Sequence, residues 1–230
     1  MSDLLFAPAV ASLPIAGSGQ RFPIARVFCL GRNYHWGDSL GEPRSVPLFF
    51  MKPASSVIEA VGEVAYPPQT NEFCHEIELV VAIGTDGFQI STRQALEHVW
   101  GYAAGLDLTR RDLQMAAKAI GQPWEAAKAF DGSAPITAIV PVSRIGHPDQ
   151  GAVWLSVNGL ERQRSDLSAQ IWSVAEVVSQ LSQSVRLKAG DLIMTGTPPG
   201  VAALQPGDVI TAEIEGIASL QMKVGERQLA

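Results

Sequence analysis

An α+β fold, mainly β, is what this sequence predicts, and three observations carry that expectation. Strand-like apolar runs concentrate in the first and last thirds of the chain, helical periodicity appears between them, and strands and helices do not alternate as they would in βαβ units. With 230 residues, 47% hydrophobic and 17% charged, the chain is long enough for one sizeable core and too apolar for disorder. No internal repeat or low-complexity linker divides it. The reading is an N-terminal arm over residues 1–20, rich in Ala, Pro and Gly, followed by a single domain over residues 21–230.

Taken in order, the first strand is IARVFCL (24–30), β-branched and closing on Gly31. LFFM (48–51) is the second, ended by Lys52-Pro53. EIELVVAIG (76–84) is the third, with Glu76 and Glu78 alternating against Ile77 and Leu79 before a wholly apolar run. Apolar spacing predicts helices over 92–98, 110–119 and, most clearly, 171–183. The C-terminal third returns to strands at 153–157, 192–195, 209–215 and 220–224, with an Asn158-Gly159 hairpin turn after the first of them.

Composition also excludes several function classes. A net charge of −6 does not suit a nucleic-acid partner, which needs a basic surface. No run approaches the ~20 apolar residues of a membrane span, and the apolar start opens with an aspartate rather than a basic segment, unlike a signal peptide. The expected compartment is the cytoplasm, with Cys29 and Cys74 reduced and buried. The turn around Gly196 and Gly200 lacks the GxxxxGK[ST] pattern, so nucleotide binding is rejected.

Chemistry concentrates in carboxylates. Glu76 and Glu78, two apart on a strand, leave the same face of the pleat. That face is either wet, as on any amphipathic strand, or part-buried, in which case the two charges repel unless a cation sits between them. Asp107 lies between Leu106 and Leu108, where an isolated aspartate is costly unless it is paired, bound to a metal or capping the helix that follows. Three carboxylates suit a hard cation: Mg²⁺ first, with Mn²⁺ and Ca²⁺ as alternatives.

Cations follow closely. Arg111 and Gln114, three apart on a helical turn, share a face, and Lys128 in AAKAF and Lys52 after LFFM sit against apolar segments. Together they suggest a site for a small anionic substrate, since the Arg fork matches a carboxylate. His35 and Asp38, also three apart, either form a surface hydrogen bond or a dyad in which the imidazole takes a proton from water. His98 and His147 have no partner at ligand spacing and read as surface or helix-end residues. Asp112 reads as solvent-facing or capping a turn, and Trp36 as part of a lid or of the packing.

The segments VFCLGRNY (27–34), LFFMKP (48–53), HEIELVVAIG (75–84), GYAAGLDLTRRDLQ (101–114), PWEAAKAFDGSAP (123–135) and GDLIMTGTPPGV (190–201) occur in an order that resembles the fumarylacetoacetate hydrolase family, nearest its small acylpyruvate hydrolases. The resemblance spans about three quarters of the chain. It implies a mixed β-sheet roll with peripheral helices, usually dimeric. It further implies a metal on Glu76, Glu78 and Asp107, substrate contacts from Arg111, Gln114 and Thr197, and an active-site lysine at Lys128. One departure stands out: His35 follows Tyr34 directly, two residues short of the family spacing, and Asp38 takes the place of a glutamate. The implied activity is hydrolysis of a C–C bond in a 2,4-dioxo acid, with fumarylpyruvate giving fumarate and pyruvate. Oxaloacetate decarboxylation, or 2-oxo acid isomerisation or dehydration, at the same metal site is the alternative, and a non-catalytic binding protein a more distant one.

Overall fold

The computed structural model describes Leu5, residues 9–35 and residues 44–227. Two sheets carry the fold. The larger is mixed and eight-stranded, running in the order Leu48–Lys52, Val27–Gly31, Leu192–Met194, Ile77–Ile83, Val99–Leu106, Ala134–Ile136 and Val57–Glu59, with Val140–Pro141 also paired to Val99–Leu106. The smaller has five strands: Leu160–Asp166, Ala152–Val157, Val209–Ile214, Ala218–Arg227 and Val61–Tyr66. Helices are few and peripheral, as an α+β, mainly β fold requires.

Ile77–Ile83 is the organising strand, and every residue in it is buried. Ile77, Leu79, Val81 and Ile83 face the main core, where they meet the five-stranded sheet and the helix Val174–Ser184. Val80 and Ala82 face a second core with Val27, Cys29, Ala103, Leu192 and Met194. Burial on both sides explains why the run is continuously apolar rather than alternating. Glu78 shares the face of Val80 and Ala82, so the acidic residues stand at the end of the second core.

Pairing with Val99–Leu106 is antiparallel, with Ile77 opposite Leu106 and Glu78 opposite Gly105. That strand was not expected, because GYAAG has little intrinsic β preference. Its small residues are accommodated by burial and by the ladder instead. The expected helix at 92–98 is a single 3₁₀ turn, Ala95–His98, because the β-branched Val99 already begins the strand. The helix expected from Ile171 starts at Val174. Ser173 caps it in a reciprocal pair with Glu176, while Ile171 N and Trp172 N are held by Asn33. Asn158 and Gly159 adopt φ of 53° and 77°, the left-handed pair of a type I′ hairpin.

The N-terminal segment is stitched to the body. Ser12–Pro14 pairs antiparallel with Arg21–Pro23, across residue 20, and Leu13 is fully buried in the second core. Leu13→Ala is therefore expected to lower stability by about 2–5 kcal/mol, the range for truncating a buried leucine. Urea unfolding of the variant checks this; a midpoint equal to that of the unaltered chain would show the segment to be a loose arm.

Candidate active site

The antiparallel register builds the site. Continuing one step from the Ile77–Leu106 pair sets Asp107 beside Glu76, and Asp107 N donates to Glu76 O at 2.8 Å. Glu76, Glu78 and Asp107 consequently share one face, each at most 8% exposed. Each offers an oxygen within 4.8 Å of the others. Asp107 caps no helix; the helix Arg111–Ala119 begins four residues later, and Asp112 in its first turn accepts from Asn71 N and the Thr70 hydroxyl of a distant loop.

Two ammonium groups compensate the carboxylates. Lys128 Nζ donates to Asp107 Oδ2 at 2.6 Å and to Glu76 Oε2 at 2.9 Å. Lys52 Nζ lies 2.9 Å from Asp107 Oδ1, off the hydrogen-bonding direction, so that buried oxygen has no hydrogen-bond partner among the described residues. Lys52 instead donates to Ser133 Oγ and the carbonyls of Leu108 and Lys128. Rather than facing a substrate, Lys52 is sealed beneath the cluster at 1% exposure. Sequence reasoning placed it beside an apolar segment but gave no sign of this partner.

Burial, together with the charges of Asp107 and Glu76, pushes the Glu78 carboxyl well above its usual range; Lys128 and the Gly196 N–H only partly oppose this. For Asp107 the penalty of burial is outweighed by Lys128 and Lys52, which hold its carboxyl below the usual range. Burial disfavours the Lys128 ammonium too, yet Asp107 and Glu76 raise it above an ordinary lysine. With all five groups ionised, three acids and two bases would leave one negative charge in a dry site; burial makes the Glu78 proton hard to remove, and one Asp107 oxygen has no hydrogen-bond partner among the described residues. An all-oxygen donor set of that charge fits a hard divalent cation.

The turn after Leu192–Met194 closes the site from the other side. Gly196 N donates to Glu78 Oε2 at 2.8 Å. Gly196 has φ of 93°, and a Cβ there would fall 2.7 Å from Asn33 Cβ, so glycine is required. The Thr197 hydroxyl donates to Ile77 O and accepts from Gln163 Nε2. Gln163 is the inward residue of the strand Leu160–Asp166; it also donates to Pro198 O and accepts from Ile77 N at 3.2 Å and His75 Nδ1 at 2.9 Å. This fully buried glutamine ties the two sheets together at the site, and only its place at an inward position of LERQRSD marked it in the sequence.

The acids open into a cavity of about 560 Å³ whose wall includes His35, Glu76, Glu78, Asp107, Arg111, Gln114, Lys128 and Thr197. Arg111 Nη1 donates to Gln114 Oε1 at 2.8 Å, the pair expected on one helical face. His35 is half-buried at the cavity wall. Asp38 and Trp36 lie outside the described residues. The other two histidines have partners that spacing did not reveal: His147 Nδ1 meets Tyr102 OH at 2.8 Å, and His98 Nδ1 meets Thr85 O at 3.0 Å.

Comparison with known proteins gives four findings. A family model described as fumarylacetoacetate (FAA) hydrolase C-terminal matches residues 26–225. A fumarylpyruvate hydrolase from a Ralstonia species is 45% identical over 177 residues, 77% of this chain and 92% of that protein. The mitochondrial oxaloacetate tautomerase of Rattus norvegicus is 39% identical over 202 residues, 86% of this chain and 90% of that protein. The crystal structure of fumarylpyruvate hydrolase from Pseudomonas aeruginosa, in complex with Mn²⁺ and pyruvate, matches with a TM-score of 0.92 at 49% identity, covering 98% of this chain and 100% of that one.

The raised Glu78 carboxyl has a consequence for stability. A group whose folded value is raised favours the fold below its ordinary value, here 4.5, and that contribution is lost as pH rises through the folded value. With chelator at pH 8, Glu78→Gln is expected to melt a few degrees above the unaltered protein, since about 1 kcal/mol moves the midpoint of a domain this size by about 2–4 °C. Adding Mn²⁺ should reverse the order. Scanning calorimetry at both conditions checks this, and a variant that melts lower in chelator would refute it.

Proposed function

The chain belongs to the fumarylacetoacetate hydrolase family, and from that premise we propose that it hydrolyses the C–C bond of a 2,4-dioxo acid, with fumarylpyruvate as the substrate and fumarate and pyruvate as products. The observation that carries this reading is the buried Glu76–Glu78–Asp107 cluster at the floor of a cavity walled by Lys128, Arg111, Gln114 and His35. Glu76, Glu78 and Asp107 would hold a divalent metal, Mg²⁺ in the first instance, although the Pseudomonas relative was crystallised with Mn²⁺. When bound, the metal supplies a Lewis acid for the 2-oxo acid end of the substrate and for the negative charge that develops on it.

The chain's own residues do the rest. His35 takes a proton from the water that attacks the carbonyl at C4, and Asp38, in our reading, orients its imidazole. Lys128 keeps its charge and stabilises the developing enolate of the pyruvate half. Arg111 and Gln114 take the distal carboxylate, Arg111 through its fork. Thr197, with both hydrogen bonds committed to Ile77 and Gln163, sets the wall beside the acids. The cavity volume suits a ligand of this size.

Two further features complete the reading. A homodimer is supported by Met51, 44% exposed on an edge strand of the large sheet. Cys29 and Cys74, both free and buried, suit a reducing cytoplasm. Among the described residues no helix is long and apolar enough to cross a membrane.

The tautomerase relative favours a second reading, proton movement on oxaloacetate at the same site without water attack. A coupled assay separates the two, following loss of the fumarylpyruvate enol absorbance and release of pyruvate with Mg²⁺ and then with excess chelator. Metal-dependent pyruvate release is expected. His35→Ala should lower it by at least about 100-fold, the share of a general base, while leaving any oxaloacetate activity in place. Equal loss of both activities would remove His35 from the water-activating role, and no pyruvate release with metal present would replace the hydrolase reading with the tautomerase one.

A further inference from the structure

The helix Arg111–Ala119 contributes more to the cavity than the Arg–Gln pair. Arg111, Gln114 and Lys118 stand three and four residues apart, so they form one stripe along the helix, and all three line the cavity. Lys118 is seven residues beyond Arg111, about 10 Å along the axis. Gln114 is buried, whereas Lys118 is exposed, so the stripe runs from the floor of the cavity to its mouth. Lys118 Nζ sits 5.3 Å from the Trp124 ring centroid, and Trp124 is itself part of the wall. That contact keeps the ammonium against the cavity instead of free in solvent.

Arg32 lines the same cavity, with φ of 61°, a conformation uncommon for a residue with a side chain. Among the described residues neither Lys118 nor Arg32 forms a salt bridge. Arg44, by contrast, is engaged by Glu176 at 2.6 Å. Partial burial, and after it the charges of Arg111, Arg32 and Lys128, lower the Lys118 ammonium from its ordinary value. Cations crowded at one opening, with no salt-bridge partner among the described residues, are suited to receive an anion. Arg111 already gives one donor to Gln114, so a carboxylate at the far end of a ligand has an oxygen left for a second cation.

We propose that Lys118, with Arg32 beside it, binds the outer oxygen of the terminal carboxylate, so that the site selects acylpyruvates whose acyl arm ends in a carboxylate. This rests on the acylpyruvate reading above and makes Lys118 a specificity-determining residue of that site.

The test compares 2-oxoheptanedioate with 2-oxoheptanoate, seven-carbon 2-oxo acids that differ only in the terminal carboxylate. Their dissociation constants are measured by calorimetry on the Mn²⁺-loaded protein. The unaltered protein is expected to prefer the diacid. Lys118→Met should shrink that preference about tenfold, the loss of one charge-assisted contact at a partly exposed position, and Lys118→Arg should retain most of it. The ratio of kcat/KM for fumarylpyruvate over acetylpyruvate should fall in parallel. No preference for the diacid, or a preference unchanged in Lys118→Met, overturns the proposal. Because neither heptanoic ligand turns over, the binding comparison reads Lys118 even where no acylpyruvate is hydrolysed, an outcome that would count against the hydrolase reading alone.

Discussion

Three carboxylates in a dry site are tolerable only with positive charge among them, and that requirement organises the molecule. Asp107 is ion-paired on both oxygens, to Lys128 on one side and Lys52 on the other. Each lysine is locked in turn: Lys52 by carbonyls and Ser133, Lys128 by Glu76. Removing one partner from such a cluster leaves an uncompensated buried charge, which is far more costly than the pair itself is stabilising. On the proposed reading, the residual negative charge of the fully ionised cluster would become a single positive one when a divalent cation binds. With Arg111 beside it, the cavity would then have the sign needed to draw in a dianion.

Geometry comes from the sheet. Side chains on a strand repeat every two residues, so a slip of one position between Ile77–Ile83 and Val99–Leu106 would turn Glu76 and Glu78 away from Asp107. Burial of both faces of Ile77–Ile83 prevents such a slip, because it would drive the acids into one core or the other. The same apolar packing that gives the domain its stability therefore holds the acids in register.

Much of this was legible in the sequence, and the gaps have physical causes. The period of two in EIEL identified the acidic face, and the arginine–glutamine spacing identified the helical pair. Asn158-Gly159 named its turn. The strand Val99–Leu106 was hidden, because alanines and glycines reveal neither period nor preference and are placed by their partners. Lys52 and Gln163 were hidden for another reason. Their roles consist of contacts 34 or more residues away, such as Lys52 to Leu108 at a separation of 56 and Gln163 to His75 at 88. Local pattern carries no record of contacts at that range.

One such contact bears on how the protein matures. Glu78 is held by the amide of Gly196, 118 residues further along the chain. The acidic residues and the turn that fixes one of them thus emerge from synthesis far apart in time, and closing so long a loop belongs to the slow, non-local part of folding. A nascent chain that has exposed Glu76, Glu78 and Asp107 has the proposed ligands without the cage. On the metal-site reading proposed above, selective capture would be deferred until the C-terminal third has docked, and loading with the ion would mark the completion of the fold rather than its beginning.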